Sequence, residues 1–335
     1  MINFGIIVCC CRFDSFFAKG CIASIRYFYP NIPITLFTDD SFDTRAIEHL
    51  FTIEVIRRED IKDSFLRNSN TGWGLPKMTL FWEGPYERFL YLDADTLVWG
   101  DVIGRHLGGD DWDFVADVGD VEGRPWVPSV GTDAWLRQEY FNPDLMQTYL
   151  PQLDWRRYAP WFFCTGTFGC RRGVFDLDEY KHLLELRNRL PGLFPIGEMP
   201  LLNTLLFLAH QRGEVRLRRA SMQMVCDYTN AGWLSQRFRI NGGSPMIIEG
   251  DEKILHFTQP KPISSSDGFH EPFDFFRIRA IRETPSLGQY FPYFALCLQE
   301  AEWRVTRAWR QHGGRYHQLL QPLIAPVRKR FRGGR

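Results

Sequence analysis

Two carboxylates directly follow an apolar segment in the sequence Arg88-Phe-Leu-Tyr-Leu-Asp93-Ala-Asp95. The apolar residues predict a buried strand that ends at the two aspartates. In an open α/β sheet, ligands bind beyond the carboxyl ends of the strands, so both side chains are expected at a binding crevice. Their oxygen atoms suit Mg²⁺ or Mn²⁺, and such a cation can bridge to the phosphates of a nucleotide. The pattern predicts a metal site that stabilises negative charge on a departing diphosphate.

The same motif has two other interpretations. Asp93 and Asp95 can be turn-forming residues that end a strand and face solvent, since so short a motif also occurs without a site. A phosphatase of the haloacid dehalogenase class also carries Asp-x-Asp after a strand, but its Thr comes one residue later than Thr96 does here. That spacing and the position of the motif in the middle of the chain disfavour the phosphatase. The apolar strand ahead of the motif favours a binding site over a plain turn.

Segments rich in Ile, Val and Phe alternate with segments of helical spacing, which predicts an α/β protein with a parallel-rich sheet. Strands are predicted at residues 4–10, 34–37, 53–56, 89–92, 114–116, 162–169 and 253–257, and helices at 16–29, 175–190 and 198–211. Between residues 119 and 160 the periodicity is lost, which predicts long loops laid over the site. We expect one main domain over residues 1–270 and a helical, basic and aromatic extension over 271–335.

The charges of this 335-residue chain are unevenly placed. Acidic and basic residues number 40 each, but residues 303–335 contain basic charges and no acidic ones. Aromatic and aliphatic residues are interleaved with these arginines, so the tail can lie on an anionic membrane surface or pack as a solvated helix on the domain. The remainder of the chain is acidic and shows no nucleic-acid-binding motif, so nucleic acid is not an expected partner.

The cysteines and the apolar segments indicate the cellular compartment in which the protein is expected. Of eight cysteines, three form the run Cys9, Cys10 and Cys11, which does not resemble a framework of spaced disulfide pairs. The first residues lack the basic start and cleavage site of a signal peptide, and the apolar run at 201–209 is too short to cross a bilayer. We expect a cytoplasmic protein whose membrane contact, if it has one, is peripheral and on the inner face.

Several ordered blocks resemble family 8 glycosyltransferases, the group of glycogenin and bacterial lipopolysaccharide sugar transferases. They span roughly residues 3–262, and their order is more specific than any single block. Besides the Asp-x-Asp motif, the blocks are Asp14-Ser-Phe-Phe17-Ala-Lys19-Gly20, Leu75-Pro76-Lys77-Met78, Phe163-Cys164-Thr165-Gly166, Gly197-Glu198-Met199-Pro200-Leu201-Leu202-Asn203, and Leu255-His256-Phe257 followed by Lys261-Pro262.

The resemblance implies a GT-A type fold, a single Rossmann-like mixed and mostly parallel sheet, and a retaining transfer of a hexose from a UDP-sugar to a glycan or lipid-linked acceptor. It implies that Asp93, Asp95 and His256 bind Mn²⁺ or Mg²⁺, and that Glu198 and Asp95 act in catalysis. For the nucleotide sugar it implies contacts from Val8, Cys9, Phe17, Lys77, Asp93, Ala94, Asp95, Gly166 and Lys261. Phe17 would lie against the uracil, although a core-facing residue at a helix start explains it too.

The sequence departs from the family pattern at three points. Cys164 stands where the family usually has Asn, and Glu198-Met199 replaces Asp-Gln. The interval between His256 and Lys261 is one residue shorter than usual, and Ile263 stands where Trp is expected. These positions bear mostly on which donor sugar is accepted. Asp117, at the end of a predicted strand, is expected to act as a cap rather than in catalysis.

Two other functions share parts of this pattern. A nucleotidyltransferase that forms sugar nucleotides would share the sheet and a metal, but residues 9–14 contain no Gly-rich phosphate cradle. A non-catalytic sugar-nucleotide-binding protein would keep the fold and could lose metal ligands, whereas all three candidate ligands are present. The sequence therefore favours an enzyme.

Overall fold

The computed structural model describes residues 2–39, 42–72, 74–118, 132–195, 197–258, 261–263, 268–284 and 287–312. All candidate site residues lie within these ranges. The predicted loop residues 119–131 and the tail from residue 313 onward lie outside the described residues.

The strands and helices follow each other in α/β order along the chain. The strands are β1 (Ile2–Cys10), β2 (Ile34–Thr38), β3 (Glu54–Arg57), β4 (Tyr86–Asp93), β5 (Thr96–Trp99), β6 (Phe114–Asp117), β7 (Thr167–Arg171), β8 (Leu217–Ala220), β9 (Gln223–Cys226), β10 (Ile240–Asn241), β11 (Ser244–Pro245) and β12 (Lys253–Phe257). The helices are α1 (Ser15–Phe28), α2 (Arg45–Phe51), α3 (Ser64–Ser69), α4 (Leu80–Glu83), α5 (Val102–His106), α6 (Asp133–Glu139), α7 (Pro143–Tyr149), α8 (Trp155–Tyr158), α9 (Leu177–Arg189), α10 (Met199–Gln211), α11 (Ala231–Arg237), α12 (Glu271–Glu283), α13 (Leu287–Tyr290) and α14 (Pro292–His312).

The main sheet has seven strands in the order β3-β2-β1-β4-β7-β6-β8. Its pairs are parallel except where β7 runs antiparallel to β4 and β6, so the predicted mixed, mostly parallel sheet flanked by helices is confirmed. From β1 the chain builds β2 and β3 on one side, whereas β4 lies on the other. In open α/β sheets such a reversal of strand order marks the crevice where ligands bind, which here is beyond the carboxyl ends of β1 and β4. Cys9 pairs with Asp93 at this edge.

Alternation along the central strands supplies a core on each face of the sheet, as strand geometry requires. Ile7 and Tyr91 belong to the core on one face, and Ile6, Val8 and Leu92 to the core on the other. Because both faces are covered, the strands that approach the crevice are rigidly held.

A second, three-stranded sheet brings a late part of the chain to the Asp-x-Asp motif. Its order is β5-β12-β9, with β12 antiparallel to β5 and parallel to β9. The register places His256 opposite Thr96, directly after Asp95. The amide of Phe257 donates to the Asp95 carbonyl at 3.0 Å. The strand predicted at residues 253–257 is therefore confirmed.

The predicted long loops are wrong for residues 132–158, which form α6, α7 and α8. Each helix begins at a side-chain cap, supplied by Thr132, Asn142 and Asp154. Helices of four to seven residues are too short to show a 3.6-residue pattern, which explains the error. The strand predicted at 162–169 begins only at Thr167, because residues 162–166 form the loop that reaches the site.

The C-terminal helices pack on α1. A Cβ at Gly20 would lie 2.5 Å from the Phe273 ring, so α12 approaches α1 closely. The Trp303 ring of α14 contacts the rings of Phe16 and Phe17, with centroid distances of 6.3 and 5.1 Å. A boundary near residue 270 between a domain and an extension stays a prediction.

Candidate functional site

The two aspartates lie in a tight turn between β4 and β5. Asp93 is the last residue of β4, and its amide donates to the Gly166 carbonyl at 2.8 Å. The hydroxyl of Thr96 donates to the Asp93 carbonyl at 2.7 Å. Ala94 is buried between the two acids. The turn is thus fixed by main-chain contacts, and both carboxylates project at the crevice.

His256 completes the predicted group of metal ligands. Its Nε2 lies 3.4 Å from Asp95 Oδ1 and 4.0 Å from Asp93 Oδ2. One ligand atom from each of the three residues lies within 4.8 Å of the others. Two carboxylates and one imidazole form a donor set that suits Mn²⁺. The residues therefore fit the predicted cation.

The site residues favour their charged forms. Burial would lower the pKa of His256, but Cys164 and the Asp95 carboxylate outweigh burial and raise it to about 10. Burial would raise the pKa of Asp95, yet the ammonium of Lys261 and His256 hold it well below its usual range. A cation bound here would replace the proton on Nε2, because a metal ligand must be deprotonated.

Lys261 reaches the same acids from the segment that follows β12. Its ammonium contacts Asp95 Oδ2 and also donates to the Phe257 carbonyl at 3.1 Å. About a quarter of its side chain is exposed, at 26%. A partly exposed cation thus lies at the edge of the site, while its contact with a diphosphate stays a prediction.

Lys77 is buried, with 2% of its side chain exposed. Its Nζ lies 3.0 Å from Asp93 Oδ1 and 2.7 Å from Glu198 Oε1, and it donates to the Thr165 carbonyl at 3.1 Å. Burial opposes the charged form, but Asp93 and Glu198 outweigh it and raise the pKa of Lys77. An ammonium has three protons, and all three have acceptors. Lys77 is therefore the counter-ion of two acids; its predicted contact with a diphosphate is not tested.

Glu198 is connected to Asp93 through the ammonium of Lys77, which pairs with both carboxylates, and its role in catalysis stays a prediction. Thr165 donates its hydroxyl to Glu198 Oε1 at 2.8 Å. Gly74 has φ +76°, and a Cβ there would lie 2.0 Å from Glu198 Oε2. Glycine is thus required at this position both by its conformation and by the carboxylate that fills the space.

Three residues that contact the candidate site residues were not predicted from the sequence, namely Thr165, Tyr91 and Gln223. The Tyr91 hydroxyl donates to Asp93 Oδ1 at 2.5 Å. Tyr91 lies two residues before Asp93 on the same face of β4, so strand periodicity could have identified it. The contact of Gln223 with His256 Nδ1, at 2.9 Å, has no such local signal.

The nucleotide contacts implied by the resemblance have mixed support. Phe17 is 1% exposed and packs against Phe273 and Trp303, which favours the alternative of a core-facing residue. Val8 is fully buried in the core, so only its backbone can line a pocket. Cys9 lies next to Asp93; burial, with a smaller effect of that carboxylate, raises the pKa of its thiol.

The contacts of Gly166 and Asp117 explain the residue types at these two positions. A Cβ at Gly166 would lie 2.2 Å from Cε1 of His256, so glycine lets the loop pass against the imidazole. Asp117 Oδ1 accepts from the amides of Met222 and Gln223 at 3.0 and 2.9 Å. The capping role expected for Asp117 fits these contacts.

No protein-family model matches the sequence, and no curated protein matches it. Solved structures of glycosyltransferases do match. The bifunctional glycosyltransferase WbbM matches with a TM-score of 0.51 and 12% identity, over 85% of this chain and 50% of WbbM. The galactosyltransferase LgtC, solved with donor and acceptor sugar analogs, matches with a TM-score of 0.48 and 15% identity, over 82% of this chain and 95% of LgtC. Glucosyl-3-phosphoglycerate synthase from Mycobacterium tuberculosis, solved with Mn²⁺ and UDP, matches with a TM-score of 0.35 and 10% identity, over 65% of this chain and 69% of the synthase.

The likeness to WbbM shows a shared fold, and the predicted GT-A fold class is confirmed. This chain spans about half of the length of WbbM.

Proposed function

We propose that this chain is a metal-dependent glycosyltransferase that moves a hexose from a UDP-sugar to a hydroxyl of a glycan or lipid-linked acceptor. The observation that carries the proposal is the convergence of Asp93, Asp95 and His256 at the crevice beyond β1 and β4. Crevices of this kind are where open α/β sheets bind ligands. The family resemblance of the ordered sequence blocks adds retention of configuration and an α-linked product.

Asp93, Asp95 and His256 would hold Mn²⁺ or Mg²⁺. When bound, the cation supplies Lewis-acid stabilisation of the diphosphate leaving group. Of the nearby cationic side chains, Lys261 is the more exposed and adds a positive charge for the diphosphate. Lys77 instead holds Asp93 and Glu198 in position through its ion pairs.

Glu198 is the carboxylate that we assign to the reacting sugar. It is 11% exposed at its side chain and is oriented by Lys77 and Thr165. An oriented carboxylate stabilises positive charge that develops on the anomeric carbon when the glycosyl bond weakens. Asp95 serves as a metal ligand and as part of the same negative environment.

The competing functions make different predictions for this site. A nucleotidyltransferase would release pyrophosphate, whereas a glycosyltransferase releases a nucleoside diphosphate. A non-catalytic binder would bind UDP-sugars without release. The complete metal-ligand group favours turnover.

Donor screening tests the proposal. The purified protein is incubated with several UDP- and GDP-sugars plus Mn²⁺, and nucleoside diphosphate release is measured. We expect release from a UDP-hexose, loss on chelation, and a loss of at least about 100-fold in Asp95→Ala, because a first-sphere ligand is removed. Asp110→Ala, at a side chain that is 95% exposed, is the matched control. Undiminished release by folded Asp95→Ala would contradict the assigned role.

We further propose that the protein is cytoplasmic and contacts an anionic inner membrane surface through its C-terminal extension. Among the described residues, no helix is long and apolar enough to span a membrane. The start of α14 and the residues before it expose Tyr290, Phe291, Tyr293 and Phe294 by 61–75%. Exposed apolar patches of this kind mark interaction surfaces, and the basic tail in the sequence suits anionic lipids. This surface would bring the site to a lipid-linked acceptor.

A further inference from the structure

Gln223 is a fully buried amide with two polar contacts to the candidate metal site. It is the first residue of β9, and 0% of its surface is exposed. Its Oε1 lies 2.9 Å from Nδ1 of His256, and its Nε2 donates to the Cys164 carbonyl at 3.4 Å. Burying an amide costs about 1–3 kcal/mol unless it is hydrogen-bonded, so these contacts fix its side chain.

The Cys164 carbonyl determines the orientation of this amide. A carbonyl oxygen can only accept a hydrogen bond, so the NH₂ group of Gln223 must face it. The amide oxygen of Gln223 must then face His256. Because that oxygen is itself only an acceptor, Nδ1 of His256 must carry a proton and donate it.

The orientation of His256 follows from this assignment. With Nδ1 protonated, Nε2 is the nitrogen left to bind a cation, and Nε2 is the atom that faces Asp95 and Asp93 at 3.4 and 4.0 Å. A 180° flip of the ring would put Cε1 where Nε2 now faces the acids and Cδ2 where Nδ1 now faces Gln223, so both contacts would be lost. The hydrogen bonds that begin at Cys164 therefore select one ring orientation.

The backbone of Gln223 is held independently of the site. Asp117, which is 1% exposed, accepts hydrogen bonds from the amides of Met222 and Gln223. β9 also pairs with β12, with Gln223 opposite Ile254, two residues before His256. The amide and the imidazole thus lie on adjacent, paired strands.

We infer that Gln223 is a positioning residue that fixes the tautomer and ring orientation of His256, so that Nε2 is presented to a divalent cation. This inference rests on the proposed function, since it assumes that the three-residue group binds the cation. Groups that hold the second nitrogen of a metal-binding histidine typically contribute 10–100-fold to metal affinity.

Mn²⁺ binding to the purified protein, without any sugar nucleotide, tests the inference. Gln223→Met keeps the length of the side chain but removes both hydrogen bonds, and we expect affinity measured by titration calorimetry to fall about 10–100-fold. Gln223→Glu keeps an acceptor for Nδ1–H, and we expect affinity within about threefold of the wild-type value. Asn70→Leu removes another buried amide, which contacts Thr79 and Tyr180 instead, and should leave Mn²⁺ affinity unchanged.

The outcomes separate the two hypotheses. Wild-type affinity in folded Gln223→Met, with weak binding in His256→Ala, would overturn only the role of Gln223. Equal binding by wild type and His256→Ala would overturn the proposed metal site itself. If Gln223→Met does not fold, Gln223→Asn decides the matter, because its shorter side chain removes the contact with His256 while it keeps the polar group. Unchanged Mn²⁺ affinity in Gln223→Asn would then overturn the role.

Discussion

Replacing Lys77 with Met should destabilise the protein even when no ligand is present. The ammonium lies within 3.0 Å of carboxylate oxygens of Asp93 and Glu198, and its side chain is 2% exposed. Removal of one partner from a buried ion pair costs about 3–5 kcal/mol, because the other charge is left without compensation. In a chain of this length, that loss lowers the melting temperature by about 4–7 °C.

The assay is thermal unfolding followed by circular dichroism in EDTA, so that no cation can neutralise Asp93. Lys181→Met is the matched control: its ammonium pairs with Asp178 at 2.7 Å, but both side chains are well exposed, at 41% and 88%. Such exposed pairs contribute about 0–1 kcal/mol.

A double-mutant cycle then identifies the partner of Lys77. If Lys77 and Glu198 interact as the structure indicates, Lys77→Met combined with Glu198→Gln should be more stable than the sum of the single changes predicts, by about 1–3 kcal/mol. A Lys77→Met protein that melts within 1 °C of wild type, about 1 kcal/mol or less, would refute the reasoning. Lys77 would then be a solvated residue whose ammonium is available to bind a diphosphate.

Three further changes have expected outcomes. Gly166→Ala places a Cβ 2.2 Å from the His256 ring and should weaken Mn²⁺ binding in calorimetry at least about tenfold. Gly232→Ala is the control, because among the described residues outside its own helix turn no atom lies within 4 Å of the added Cβ, and equal affinities of the two variants would contradict the prediction. A hydrogen bond from Arg216, which outweighs burial, lowers the pKa of Asp113 to about 2. The resulting stability is present above the unfolded pKa of about 3.9 and is lost as pH falls towards 2. Asp113→Asn should therefore lower the free energy of unfolding in urea by about 1–2 kcal/mol at pH 7 and by less at pH 3. An equal loss at both pH values would refute this prediction. The double variant Phe291→Ser, Phe294→Ser should at least halve the fraction of protein that sediments with vesicles of phosphatidylglycerol and phosphatidylcholine. Tyr228→Ser, at another aromatic side chain that is 71% exposed, should leave that fraction unchanged. Equal sedimentation of the double variant and the wild type would contradict the proposed membrane surface.

The central strands and the pair of aspartates could be predicted from the sequence because both have strong local signals. The apolar strand that ends at Asp93 and Asp95 is visible without any tertiary information, and the order of the blocks connected it to His256. The fold class follows from alternating strands and helices, although the short strands β5, β8 and β9 were not predicted.

Features that depend on distant contacts could not be predicted in the same way. Lysines are almost never fully buried unless they are paired, so the burial of Lys77 follows only from the placement of Asp93 and Glu198 on other elements. Gln223 belongs to a four-residue strand and reaches His256 only because β9 pairs with β12. In the same way, Tyr140, Phe141, Trp155 and Tyr158 look like loop residues in the sequence, but they are buried in the structure.

The main-chain bond from Phe257 to the Asp95 carbonyl ties together two parts of the chain that are made far apart in time. During synthesis on a ribosome, the two acids emerge long before β12 does. His256 joins the two acids only when β12 has been released and inserted between β5 and β9. The three-residue group is therefore completed late in biogenesis, and it distinguishes a finished molecule from one truncated ahead of residue 256.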